Sequence, residues 1–151
     1  MKQRLMDFIV CPVCRGSLAL RPGQREGDEI MDGELTCGGC SRTYPILRGV
    51  PRLLPDSFSK EQRDTADAFG YEWTHFTELE DTYENEFLDW ISPVGKDFFK
   101  GKLVLDGGCG KGRHTALSAA FGAKEVIGVD ISDAVEAAFP NTRRFPNAHI
   151  V

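Results

Sequence analysis

Two cysteine pairs constrain this chain more than anything else in it: Cys11-Pro12-Val13-Cys14 and, after twenty-two intervening residues, Cys37-Gly38-Gly39-Cys40. Two-residue spacing lets both thiolates of one tight turn face a single ion, and two such turns complete a closed tetrahedral set. A chain holding that set must bring residues 11–14 and 37–40 together, so the stretch between them has to double back. It reads as a hairpin. Ser17-Leu18-Ala19-Leu20 and Glu34-Leu35-Thr36 alternate in polarity, and the polar run from Pro22 to Asp32 makes a long loop between them. Gly16, Gly38 and Gly39 are expected to relax the backbone where the turns need unusual φ values. Cysteine at all four corners leaves no open position for water or substrate. The expected ion is therefore one structural zinc, held by Cys11, Cys14, Cys37 and Cys40. A segment this small has a small core, and the metal would supply much of its folding energy.

Around these pairs stand Gly16 and Leu18, then Leu35, then Tyr44-Pro45-Ile46 and Gly49-Val50-Pro51 with Leu53-Leu54. The whole pattern, across residues 5–55, resembles the small zinc-ribbon activator proteins of methyltransferases. In that family the ribbon stands alone and keeps a partner methyltransferase soluble. The resemblance implies either an internal scaffold or substrate platform, open to a protein partner, or a ribbon that only packs against its neighbour.

The last third of the chain has a different texture. Leu103-Val104-Leu105 is an apolar run ending in Asp106. Gly107-Gly108-Cys109-Gly110-Lys111-Gly112 follows, then a helical stretch from Arg113 to Phe121 closed by Gly122. Glu125 to Val129 is a second apolar run and ends in Asp130. Ser132 can cap a helix from Asp133 to Phe139 that Pro140 stops, and Ala148 to Val151 starts a third strand. This β-loop-α-β-α-β order predicts a parallel, doubly wound sheet with its ligand at the carboxyl ends of the strands.

Three nucleotide sites compete for the glycine loop. A phosphate-binding P-loop needs Gly-Lys-Ser/Thr, but Gly112 is followed by Arg113-His114. A dinucleotide fingerprint started from Gly108 would put Arg113 where a small residue is needed for close helix–strand packing. What remains is Asp-x-Gly-x-Gly-x-Gly, from Asp106 through Gly108 and Gly110 to Gly112, with Asp130 at the end of the next strand. That pattern resembles the first motif of the Rossmann-like (class I) S-adenosylmethionine-dependent methyltransferases. The resemblance implies a cofactor site made of Asp106, Gly107, Gly108, Gly110, Gly112, Asp130 and Ile131. Asp106 would help hold the methionine end, Asp130 would accept both ribose hydroxyls, and Ile131 would flank the adenine. Glycines let the backbone approach the cofactor closely. Cys109 is expected to be a small buried residue, because it has no adjacent base. Lys111, Arg113 and His114 are expected to be solvated. No catalytic base is assigned.

Between these parts lies an acidic stretch. Residues 1–55 hold eight Lys/Arg against six Asp/Glu (+2), residues 56–101 four against twelve (−8), and residues 102–151 six against five (+1). The breaks coincide with the motif boundaries and suggest three segments: ribbon, helical connector and methyltransferase-like part. In the connector, one helix is expected from Lys60 to Phe69 and another from Thr77 to Ile91. The second would present an apolar stripe of Leu79, Tyr83, Phe87 and Ile91, widened by Leu88 and Trp90. Glu78, Glu80, Asp81, Glu84, Glu86 and Asp89 would form its solvated face. Phe69-Gly70-Tyr71-Glu72-Trp73 between the helices either docks the connector on the sheet or lines a pocket. Similar aromatic connectors precede the glycine loop in methyltransferases resembling the quinone C-methylase group, where they often cap the cofactor pocket. His75 is expected to be an ordinary surface histidine.

A net charge of −5 gives no general pull toward nucleic acid or anionic membrane. There is no run of about 18 apolar residues and no signal-peptide core, so the expected setting is cytoplasmic. There, five cysteines argue for metal binding or free thiols over disulfides. The expected architecture is a small β zinc ribbon followed by a doubly wound α/β sheet, truncated after the start of strand 3. The sequence shown is expected to bind zinc, to hold the cofactor weakly and not to turn over by itself. Three functions fit. The first is a methyltransferase for a small molecule (quinone-like, lipid-linked or sugar-containing). The second is an RNA or protein methyltransferase gripping its substrate with the ribbon, which leaves nucleic acid open as a partner. The third is a non-enzymatic zinc-ribbon adaptor.

Overall fold

The computed structural model describes every residue except Asp56, Phe58 and Asp81, and the side chain of Thr74. The chain divides into two compact units, one built on Met1–Arg63 and the other on Asp64–Ile150.

In the first unit, β1 (Leu18–Pro22) and β4 (Gly33–Cys37) pair antiparallel, with Leu18 opposite Cys37, as the polarity alternation predicts. Strand β5 (Thr43–Leu47) pairs with β4 and β6 (Val50–Pro51) with β5, giving the order β1-β4-β5-β6. The run from Pro22 to Asp32 is not a plain loop. It carries its own ladder, β2 (Arg25–Glu26) against β3 (Glu29–Ile30). Two features fold it: Ile30 is fully buried, and Asp32 accepts the Gln24 amide on its carboxylate and the Gly23 amide on its carbonyl. Leu5, Ile30, Leu35, Ile46 and Val50 form the centre of this core. Each contributes about 1.5–3 kcal/mol relative to an exposed side chain. The α-ammonium of Met1 and the Lys2 ammonium lie 2.9 and 3.0 Å from the buried Glu29 carboxylate. Burial pushes that carboxyl up, but the two cations hold it below its ordinary value. The pair therefore contributes stability above the ordinary carboxylate range, and loses it as pH falls through the lowered pKa.

In the second unit, β7 (Leu103–Gly107), β8 (Glu125–Val129) and β9 (Ala148–Ile150) form a parallel sheet in that order. Helix α3 (Arg113–Ala120) joins β7 to β8, and α4 (Val135–Thr142) joins β8 to β9. The Gly122 amide donates to the Ala119 carbonyl and the Ala123 amide to that of Ser118, the paired closure expected of a glycine just past a helix end. Phe87, Phe99, Ala119, Phe121 and Val126 make the core, with Val104 packed on it. Leu103 and Leu105, on the other face of β7, are exposed.

Three helices differ from what the sequence predicts. Helix α1 (Lys60–His75) runs straight through the aromatic stretch expected to separate two helices. Gly70 is a close approach and not a break: a Cβ there would lie 3.3 Å from the Asp133 amide nitrogen. Helix α2 (Tyr83–Trp90) is shorter than the predicted 77–91. The Phe76 and Thr77 carbonyls accept side-chain donors from Lys111 and Asn141, and Glu80 and Glu84 would stack as like charges one turn apart. Phe87 is buried and Leu88 and Ile91 pack beside it, but Trp90, expected to widen the apolar face, is exposed. Of the predicted acidic face, Asp81 lies outside the described residues. Finally, Pro140 does not stop α4, which begins at Val135. Thr142 beyond the proline is buried and donates to the Ala138 carbonyl, and this burial outweighs the amide that proline lacks. Ser132 is not the expected helix cap: it stands two residues before the N-cap, Ala134, and accepts that residue's amide on its hydroxyl. No helix among the described residues is long and apolar enough to cross a membrane.

Gly128 lies where β8 passes beneath α3: a Cβ there would sit 2.6 Å from the Thr115 hydroxyl, which donates to Asp106 at 2.6 Å. Gly128→Ala is expected to destabilise the second unit by about 2–3 kcal/mol, read as a lowered denaturation midpoint.

Candidate functional site: a four-thiol cluster and a glycine-loop cavity

The two Cys-x-x-Cys turns of the first unit are built alike. Arg15 donates its amide to the Cys11 carbonyl, and Ser41 donates to that of Cys37. The Cys11 amide donates to the Gly16 carbonyl and the Cys37 amide to that of Arg42. The left-handed residues are Arg15 (φ 61°) and Ser41 (φ 60°), not the glycines assigned that task from sequence. The glycines provide room instead. A Cβ at Gly16 would stand 3.1 Å from the Cys37 sulfur, and one at Gly39 would stand 3.3 Å from that of Cys14.

The four Sγ atoms all lie within 4.8 Å of one another, with Cys11–Cys40 at 3.7 Å and Cys14–Cys37 at 3.4 Å. A tetrahedral zinc tetrathiolate has sulfur–sulfur edges of about 3.8 Å, so the donor set and its spacing are consistent with a zinc site. Buried Tyr44 points its hydroxyl at the Cys11 sulfur, 3.1 Å away. Burial pushes the Cys11 thiol up, but that hydroxyl and the Cys14 and Val13 amides together bring it down to about 6.

In the second unit the glycine loop folds back over the end of β8. The Gly108 and Cys109 amides both donate to the Val129 carbonyl. The Asp130 carboxylate then ties the loop to the next turn: one oxygen accepts the Gly110 amide at 2.8 Å, the other the Ser132 amide and hydroxyl at 2.8 and 2.6 Å. Beside it opens a cavity of about 370 Å³. Of the residues assigned from sequence, Gly108, Gly110, Asp130 and Ile131 line it. Asp106, Gly107 and Gly112 do not. Asp106 is held by Thr115, and Gly112 packs against α4, where its Cβ would lie 3.2 Å from the Ala138 Cα.

The opposite wall comes from α1: Thr65, Ala66, Phe69 and Trp73. Trp73 both docks the helix and lines the cavity, because a Cβ on Gly110 (φ 52°) would lie 3.2 Å from its indole nitrogen. The apolar i, i+4 pair Phe69 and Trp73 was the available signal for this wall. Lys111 corrects the expectation of a solvated side chain. It is buried, its ammonium donates to the Phe76 carbonyl and the Tyr83 hydroxyl, and it lies 5.0 Å from the ring centres of Trp73 and Tyr83. Arg113 is also engaged, 4.8 Å from the Trp90 ring centre and 3.7 Å from the Glu86 carboxylate. His114 stacks on Phe87 at 4.6 Å, and both it and Arg113 line the cavity. No sequence signal marked these partners, which come from α1, α2 and the segment between them. Cys109 is buried as expected. Burial, then the charges of Asp106 and Asp130, raise its pKa, so it remains a neutral thiol at physiological pH. His75 is exposed against Tyr71, as expected.

Residues 2–49 match the model of the Trm112p-like protein family. A UPF0434 protein of Dechloromonas aromatica is 36% identical over 56 residues, which cover 37% of this chain and 83% of that protein. Protein arginine N-methyltransferase 1 of Saccharomyces cerevisiae is 36% identical over 85 residues, 53% of this chain but only 23% of the yeast protein. A chain from a complex of the Haloferax volcanii Trm112 methyltransferase activator is 42% identical, covering 36% of this chain and 93% of its own, with a TM-score of 0.35. The chain thus belongs, through its N-terminal ribbon, to the Trm112p-like family, and the region after the ribbon resembles class I S-adenosylmethionine-dependent methyltransferases.

Burial first, and then the neighbouring Arg113 charge, lower the pKa of His114, with Asp106 opposing them. In an NMR titration its imidazole is expected to titrate below the ordinary value of about 6.5 and to rise toward it in Arg113→Gln.

Proposed function

We propose that this Trm112p-like chain serves S-adenosylmethionine-dependent methyl transfer, with the cofactor in the glycine-loop cavity and one structural zinc ion on Cys11, Cys14, Cys37 and Cys40. One observation carries the reading: the Asp130 carboxylate and the Gly108–Gly110 backbone meet on one cavity of a size suited to a small cofactor. Asp130 would accept a ribose hydroxyl with the lone pair left on Oδ2, and the half-exposed Ile131 would flank the adenine. Gly108 and Gly110 would admit the methionine part, while Gly107, Gly112 and the Thr115-bound Asp106 hold the loop's shape beneath it. When bound, the cofactor supplies an electrophilic methyl group. These residues contribute position and exclusion of water.

For the acceptor we propose a small molecule, quinone-like, lipid-linked or sugar-containing. The half-exposed Phe69 ring at the edge of the cofactor cavity would offer an apolar acceptor a surface beside the methyl donor. A protein acceptor is the second reading, favoured by the likeness to an arginine methyltransferase and by the acidic connector, which would attract a basic peptide. The ribbon would act as scaffold or acceptor platform.

S-adenosylhomocysteine titrated into the chain is expected to bind, and Asp130→Ala to weaken it about tenfold or more, by calorimetry or ligand-observed NMR. Equal binding by the variant would count against the assignment. The chain is also expected to carry one zinc ion, and a strong chelator should unfold the first unit with loss of its strand signal. A zinc-free chain with an intact ribbon would refute the structural role.

A further inference from the structure

We infer that Lys111 and Asn141 form a clasp that couples the cofactor loop to α1, making Lys111 a positioning residue for the cofactor cavity; this rests on the proposed cofactor site. A buried ammonium is costly unless its donors are taken up. Here two of them go to the Phe76 carbonyl at 2.9 Å and the Tyr83 hydroxyl at 3.0 Å, and the faces of Trp73 and Tyr83 flank the charge. Asn141, on α4, adds a second tie: its side-chain amide donates to the Thr77 carbonyl at 2.8 Å and to the Lys111 carbonyl at 2.9 Å. Two consecutive carbonyls just past the end of α1 are thus held by side chains from the glycine loop and from α4.

Phe69 and Trp73, the aromatic part of the cavity wall, lie within two turns of those carbonyls. A continuous path of contacts results. The Asp130 carboxylate holds Gly110, the next residue is Lys111, and Lys111 holds Phe76 and the base of the α1 wall. A ligand that engages Asp130 and the loop fixes Lys111, which fixes the wall. By reciprocity, a wall fixed by Lys111 improves the ligand site. Lys111 lines the cavity, but its ammonium is taken up by the Phe76 carbonyl and the Tyr83 hydroxyl, so its effect is on affinity and on the order of the 76–83 segment.

The test uses the 151-residue chain, S-adenosylhomocysteine as probe, and amide hydrogen exchange. Lys111→Met keeps the length of the side chain without its donors or charge. It is expected to weaken binding about tenfold and to speed exchange at residues 76–83 before ligand is added, with zinc content unchanged. Lys111→Arg, which keeps charge and donors, should bind within about threefold of the parent. Asn141→Ala should shift both readouts in the same direction, and its effect should not add to that of Lys111→Met, because both release one segment. If Lys111→Met fails to fold, Asn141→Ala carries the test alone. Parent-like affinity or unchanged exchange in the folded variants would overturn the clasp while leaving the cofactor site standing. Failure of the parent chain itself to bind the probe would overturn both.

Discussion

The second unit depends on the carboxylate of Asp130. It stands at the carboxyl end of β8, accepts the Gly110 amide on one oxygen, and accepts the amide and hydroxyl of Ser132 on the other. Without it, the glycine loop and the turn into α4 would each present unsatisfied donors at the mouth of the cavity. With it, two segments twenty residues apart hold one geometry, and a pair of acceptor oxygens is fixed at a place where the sheet ends and a ligand can enter. The beneath-sheet packing serves the same end. Thr115 locks Asp106, and Gly128 lets β8 pass close enough to α3 for that bond to form.

The first unit solves a different problem. Its apolar core is small, and its two cysteine turns bring four sulfurs within 4.8 Å of one another by repeating one backbone pattern. The Arg15 and Ser41 backbones take the left-handed conformation, while Gly16 and Gly39 make room for sulfur. Tyr44 completes the cluster by directing a hydroxyl at Cys11, the kind of outer contact that orients a metal ligand.

What the sequence made legible follows from range. The cysteine turns, the β1–β4 hairpin, the β7 and β8 runs and the closure at Gly122 are set by residues close together in the chain, and their spacing reveals them. The misread elements were decided at a distance. Gly70 looks like a helix break until Ser132 and Asp133 are brought against it. Pro140 looks like a stop until Thr142 is buried. Lys111 looks solvated because nothing near it in sequence says that Phe76, Tyr83 and Trp73 will surround it. For the same reason the glycine string marks one side of the cavity but not the wall that α1 builds opposite it.

We propose the cavity beside Asp130 as a nucleoside-cofactor site. The most direct measurement is chemical-shift mapping of the isotope-labelled chain as S-adenosylhomocysteine is added. Perturbations are expected at the amides of Gly108, Gly110 and Ile131 and at the indole N–H of Trp73, residues that line the cavity. Saturable perturbations confined to some other surface, or none at these four probes, would contradict it.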